Sequence, residues 1–241
     1  MSEHTFVVEK NCPICGKTTR VVKTKSRLMV IKTDEDFCNH YSDGFNPYFY
    51  NIWVCEHCGF AADEKHFLGS FMDKVKDAMQ AKLTKNPIPF HFMEERHIPD
   101  AVASYKLAIY FAEEMGAPMA RIAGMYLRMA WLFRSSGEKE KEEECMRKAV
   151  FNYERSRLKE RYPMESLTDA SVTFLIAAIY KRLGNEDMAA SYLNVIINDK
   201  QVKYTDNQTY ERARRMWQDI REDKKAAEEA EKKAKKAAAI K

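Results

Sequence analysis

Two spacings of apolar and polar positions divide the chain. Up to about residue 69 the runs are short and tend to alternate. "RVVKTKSRLMVIK" and "YFYNIWVC" are rich in β-branched and aromatic residues and predict strands. From residue 70 the apolar positions recur at helical spacing. "FMDKVKDAMQAKL" predicts a helix that must end at "KNPIPF", because proline cannot donate the backbone N–H a helix uses. From Pro99 onward every segment reads helical, with Gly116, Gly137 and Gly184 as the stops between helices.

The helical part repeats loosely. "SYKLAIY" at Ser104, "CMRKAVF" at Cys145 and "SYLNVII" at Ser191 are comparable segments, spaced by 41 and 46 residues. "ARIAGMYLRMAWLFRSSG" precedes the second as a partner helix, and "DASVTFLIAAIYKRLGN" the third. Such recurrence predicts an α-solenoid in which each helix pair buries its apolar face on the next. The period exceeds that of an ideal tetratricopeptide array. The last stretch, "REDKKAAEEAEKKAKKAAAIK", offers no apolar face and predicts a solvated helix that frays toward its end.

Composition narrows the class. The 241 residues are 45% apolar and 32% charged, so a buried core is feasible and global disorder is not expected. "MSEHTFVVEK" has no basic start followed by an apolar run, so no signal peptide is expected. No run approaches eighteen consecutive apolar residues, so no membrane-spanning helix is expected either. A cytoplasmic, reducing setting follows, where paired cysteines are metal ligands more often than disulfides. The net charge of +4 sits in the tail, where residues 201–241 carry 12 Lys or Arg against 8 Asp or Glu. The preceding 200 residues hold 28 of each, without the basic excess of a dedicated nucleic-acid binder.

Against that background "NCPICGK" and "VCEHCGF" carry the clearest chemistry. Each is a Cys-x-x-Cys-Gly knuckle, a spacing that sets two thiolates on one side of a tight turn. Gly16 and Gly59 permit the positive φ that turns backbone N–H groups toward the sulfurs. Cys12, Cys15, Cys55 and Cys58 therefore form the four-sulfur tetrahedral set of a structural zinc; iron accepts the same ligands. "YFYNIWV" is expected as the strand entering the second knuckle. Cys38, in "DEDFCNHY", has three readings: a small packed side chain, a substitute for one of the four ligands, or part of a second metal site with His40. His57 can serve only as a bystander or as a donor behind the ligands. His66, His91 and His97 read as surface or packing residues, and Cys145 as core.

The fold class that follows is α+β. Residues 1–69 form a small β-rich, zinc-ribbon-like module. Residues 70–98 form a linker helix and a proline-containing connector. Residues 99–200 form a tetratricopeptide-like helical repeat, and residues 201–241 a C-terminal helix with its Lys/Ala/Glu-rich tail. No phosphate-cradling glycine loop, His-Glu-x-x-His helix or nucleophile elbow is present in the sequence, and four sulfurs leave no open position on a metal. An enzyme is not expected.

"CPICG", "DEDFCNHY", "NPYFYNIWVCEHCGFAADEKHF" and the helical-repeat half together resemble a bacterial family of uncharacterised proteins, domain-of-unknown-function family 2225. The resemblance runs from the first knuckle to about Lys200. It implies a zinc-ribbon-like module followed by tetratricopeptide-like helices, and no known activity.

Two functions compete. In the first, the repeats dock a protein or peptide partner, with Tyr105, Tyr126 and Tyr180 either lining a concave face or packed between helices. In the second, Lys17, Arg20, Lys23, Lys25, Arg27 and Lys32 bind nucleic acid, with the aromatic residues of "YFYNIW" stacking on bases. The neutral domain charge favours the first.

Overall fold

The computed structural model describes residues 3–42, 44–85, 92 and 95–238. The proline-containing stretch at 86–91, with the helix break expected there and His91, lies outside the described residues. The chain is α+β: antiparallel hairpins lead and helices follow. It divides into two compact units, Met1–Asn152 and Tyr153–Lys241.

The first unit opens with three hairpins. β1 (Thr5–Asn11) pairs with β2 (Thr18–Thr24), β3 (Val30–Thr33) with β4 (Asn39–Tyr41), and β5 (Ile52–Val54) with β6 (Ala61–Asp63). The strand expected over "YFYNIWV" is only half formed. Pro47 presets a helical φ and the Asn46 side chain accepts from the Tyr48 N–H, so Pro47–Tyr50 coils into a 3-10 turn before β5 begins. Arg96, 3% exposed, closes that corner. Its guanidinium donates to the carbonyls of Phe49 (3.0 Å) and Ile52 (2.7 Å) and lies over the rings of Tyr50 and Phe92.

The helices of this unit are α1 (Glu64–Phe67), α2 (Asp73–Lys85), α3 (Ile98–Glu114), α4 (Met119–Ser135) and the first part of α5 (Lys139–Lys159). The hairpins share their core with α3 and α4. Phe60, fully buried, meets Phe67, Phe71 and Phe111 at centroid distances of 5.7, 5.9 and 5.3 Å, and Trp53 lies 5.8 Å from Phe67. Tyr105 of α3 is completely buried and donates to the Tyr48 carbonyl (3.2 Å), while Tyr48 packs on Trp131 of α4 (4.9 Å).

The second unit holds the rest of α5, then α6 (Asp169–Arg182), α7 (Glu186–Asn198), α8 (Val202–Thr205) and α9 (Asn207–Ala238). Thr168 and Ser171 cap α6 reciprocally, and the Asn185 side chain caps α7. Tyr180 and Tyr192 stack 5.9 Å apart and both donate to Glu154 (2.8 Å each). The stops fall where the glycines predict. After α3, α4 and α6 the N–H one residue past each glycine reaches back to Ala112, Phe133 and Tyr180, the 6→1 bond of a Schellman cap.

Candidate metal centre

Each knuckle is the turn of a hairpin. Cys12 follows β1 directly, and the chain re-enters β2 at Thr18; Cys55 follows β5, and the chain re-enters β6 at Ala61. The two turns close identically. The first cysteine's N–H donates to the carbonyl five residues on, Lys17 (2.9 Å) or Phe60 (2.8 Å). The glycine N–H returns to that cysteine's carbonyl, at 2.9 Å in both. Gly16 and Gly59 hold φ values of 71° and 77°, a left-handed conformation that a side chain would strain.

The hairpins meet tip to flank. Glu56, between the cysteines of the second knuckle, takes an N–H and the guanidinium of Arg20 (3.1 and 3.2 Å), and its own N–H donates to the Thr19 hydroxyl (3.0 Å). His57 donates from Nε2 to the Thr18 carbonyl (2.8 Å), which fixes it as a brace behind the knuckle. From below, Gln80 of α2 donates to the Ile14 carbonyl (2.5 Å).

These contacts bring the four sulfurs together. Cys12 Sγ lies 3.7 Å from Cys58 Sγ, and Cys15 Sγ lies 3.8 Å from Cys55 Sγ. All four lie within 4.8 Å of one another, across 46 and 40 residues of sequence in the two closest pairs. A tetrahedral ion with metal–sulfur bonds of about 2.3 Å needs sulfurs about 3.8 Å apart. The two closest pairs sit at that spacing, and the donor set is compact enough to hold a metal ion. Cys12 and Cys55 are buried at 2% exposure, and Cys15 and Cys58 are partly exposed.

The clustered sulfurs perturb one another's protonation. A hydrogen bond from Cys12, then one from Cys58, holds Cys55 well below the usual thiol range. Pairing with Cys55 pushes Cys12 up to about 12, and hydrogen bonds to Cys12 and Cys55 raise Cys58 as well. Sulfurs this close share protons unless a cation lies among them.

Cys38 and His40 lie away from this set, in the β3–β4 hairpin, and Asp34 joins them; the three ligating atoms also fall within 4.8 Å of one another. Cys38 is 4% exposed, and burial pushes its thiol up to about 12. Asp34 accepts from His40 Nε2 (2.8 Å), Lys32 (2.8 Å) and Arg134 (2.9 Å). Burial works against its charge, but the hydrogen bonds of Lys32 and His40 and the nearby Arg134 prevail and hold it at about 2. Arg134 of α4 also donates to Asp36 (2.6 and 3.0 Å) and Glu142 (2.7 Å), and the Trp131 indole donates to Asp36 (3.0 Å).

Asp34, Asp36 and Arg134 are the residues the sequence reading passed over. Their signal was present: an acidic triplet before Cys38, and one arginine ending the apolar run "MAWLF". The other histidines take separate places. His66 holds the Asp63 carboxylate at 2.8 and 2.9 Å, and the His97 N–H donates to Asp100 at the start of α3. Cys145 is buried in α5, as expected. Tyr105, buried completely, lines no exposed face. Among the described residues, no helix is long and apolar enough to cross a membrane.

Comparison with known families places the chain. Residues 7–220 match the model of a family described as uncharacterised proteins conserved in bacteria, domain-of-unknown-function family 2225. Neither the curated proteins nor the solved structures give a match. The chain belongs to that family.

Proposed function

We propose that the chain is a zinc-stabilised scaffold for protein interaction, working in the cytoplasm, in which the metal is structural and the helices dock a protein or peptide. The observation that carries this reading is the closure of the cysteine site. Four clustered sulfurs, the two closest pairs at tetrahedral spacing, can satisfy every coordination position, and the second knuckle leads straight into the aromatic core through Phe60 and β6. Such an ion holds hairpins and has no position left to activate water. Zinc suits the site because it is redox-inert and takes four thiolates in this geometry. The helical hairpins α3–α4 and α6–α7, with their matching glycine stops, support a tetratricopeptide-like repeat, whose stacked pairs commonly present a docking face.

The nucleic-acid reading loses its footing in the same residues. Arg20 pairs with Glu56 (3.2 Å), Lys23 with Glu64 (2.6 Å) and Lys32 with Asp34 (2.8 Å). Tyr48, Tyr50 and Trp53 are buried, so their rings offer no stacking surface. Each phosphate contact would make affinity fall steeply with salt.

One experiment separates the readings. The purified protein is titrated with duplex DNA and single-stranded RNA at physiological salt, and partners are captured from native lysate with and without nuclease. The expected result is no micromolar nucleic-acid binding, and a protein partner that survives nuclease and requires residues 99–200. Micromolar or tighter nucleic-acid binding, abolished by Lys17→Glu with Lys25→Glu and Arg27→Glu, overturns the scaffold.

A further inference from the structure

We propose that Asp34, Cys38 and His40 bind a second divalent metal ion of the zinc class, with three protein ligands and a fourth position open to solvent. Carboxylate, thiolate and imidazole form a donor set that zinc takes readily, and here all three ligating atoms lie within 4.8 Å of one another.

The hairpin builds the site. β3 and β4 pair Lys32 with His40 and Thr33 with Asn39, and the Thr33 hydroxyl donates to the Asn39 side chain (2.7 Å). The loop between them is cinched by the Asp34 N–H on the Cys38 carbonyl (2.8 Å) and the Phe37 N–H on the Asp34 carbonyl (3.0 Å). Both loop ends thus face one point. Asp34 Oδ2 and His40 Nε2 are 2.8 Å apart, a separation a shared proton sets. Tetrahedral bonds of about 2.0–2.1 Å would part them to about 3.3 Å. His40, 39% exposed at its side chain, can supply that half ångström by turning on the solvent side.

Arg134 does not exclude a cation there. The carboxylates of Asp34, Asp36 and Glu142 meet its guanidinium, and Asp34 also meets Lys32 (2.8 Å), so three carboxylates surround two fixed cations. Arg134 donates to Asp34 Oδ2, the oxygen that also faces His40 Nε2 (2.9 and 2.8 Å), and beside an ion it would stay as an outer donor to that carboxylate, the role that outer hydrogen bonds play in metal sites. Unlike the four-sulfur set, a three-ligand site leaves room for water or a donor from a partner.

Cobalt(II) titration of the full chain, read by elemental analysis and by the cobalt–thiolate absorption, tests this. The wild type should bind two equivalents after dialysis, one of them with the smaller thiolate signature of a single sulfur. His40→Gln, which keeps a side chain able to bond Asp34, should weaken one equivalent at least tenfold and leave the four-thiolate spectrum unchanged. Cys38→Ser should remove the single-sulfur signature. One equivalent in the wild type, which requires no variant to fold, overturns the proposal. Two equivalents of unchanged affinity in the Cys38→Ser, His40→Gln double variant overturn it equally.

Discussion

Arg96 shows how much one side chain can settle. Its charge is buried with no carboxylate bonded to it among the described residues, and desolvation lowers it to about 10. What compensates is a set of carbonyls and two aromatic faces, the carbonyls of Phe49 and Ile52 first among them. These are the groups that the 3-10 turn and the start of β5 expose to the interior. Arg96→Met keeps the length of the chain but removes every donor. An unsatisfied buried carbonyl costs about 1–3 kcal/mol, partly offset by relief from burying a charge. Denaturant unfolding should therefore show a loss of about 2–4 kcal/mol, with metal content unchanged. Equal stability in the variant would mean that the two carbonyls find other donors. Nothing in the sequence marks this role, because the partners lie 44 and 47 residues away. The cysteines are legible for the opposite reason: each half of the site is complete within five residues of chain. Asp34 and Arg134, separated by 100 residues, share Arg96's obscurity.

Among elements, those decided locally are the ones the sequence announces. Glycine ends α3, α4 and α6, and each stop closes with the same backbone bond. "YFYNIWV" misleads because β propensity describes a surface to be packed, whereas Asn46 and Pro47 impose a turn whatever follows. β3 misleads in another way: Val30 and Ile31 are exposed at 44% and 63%, so apolar alternation does not mark burial there. The last helix follows its pattern closely. Thr209, Ala213, Met216 and Ile220 are buried at helical spacing in the first half of α9, and the Ala/Glu/Lys stretch follows. Truncation at Asp223 removes the exposed ion pair of Lys224 with Asp187, worth little in solvent. The melting temperature should move by no more than about 2 °C. A larger drop would show that residues past Asp223 pack on the unit.

At the scale of the molecule, the cysteine hairpins and α3 and α4 fall in one unit with a common aromatic core. Loss of the proposed ion should be felt throughout it. Closing a structural zinc site contributes on the order of 10 kcal/mol of apparent folding free energy in small domains, comparable to the stability of a whole domain. Chelator is thus expected to melt helical circular dichroism from α3 and α4 along with the strands, while α6, α7 and α9, in the second unit, keep theirs. Hydrogen exchange mapped by peptide reads this directly. Protection lost in residues 5–63 alone would show that the aromatic contacts survive without the metal.

The place of Phe60, immediately after the second knuckle, bears on the order of events during synthesis. The fourth sulfur, Cys58, emerges early, whereas Phe111, against which Phe60 packs, follows about fifty residues later. At about 5–20 residues per second that is an interval of roughly three to eleven seconds. Through it the second knuckle has Phe67 and Phe71 but not Phe111, and the proposed ion would tie the two knuckles beside the bonds of Glu56 to Arg20 and Thr19. The nascent chain would then meet the proposed metal before its own third helix, and the later helices would arrive on hairpins already tied together.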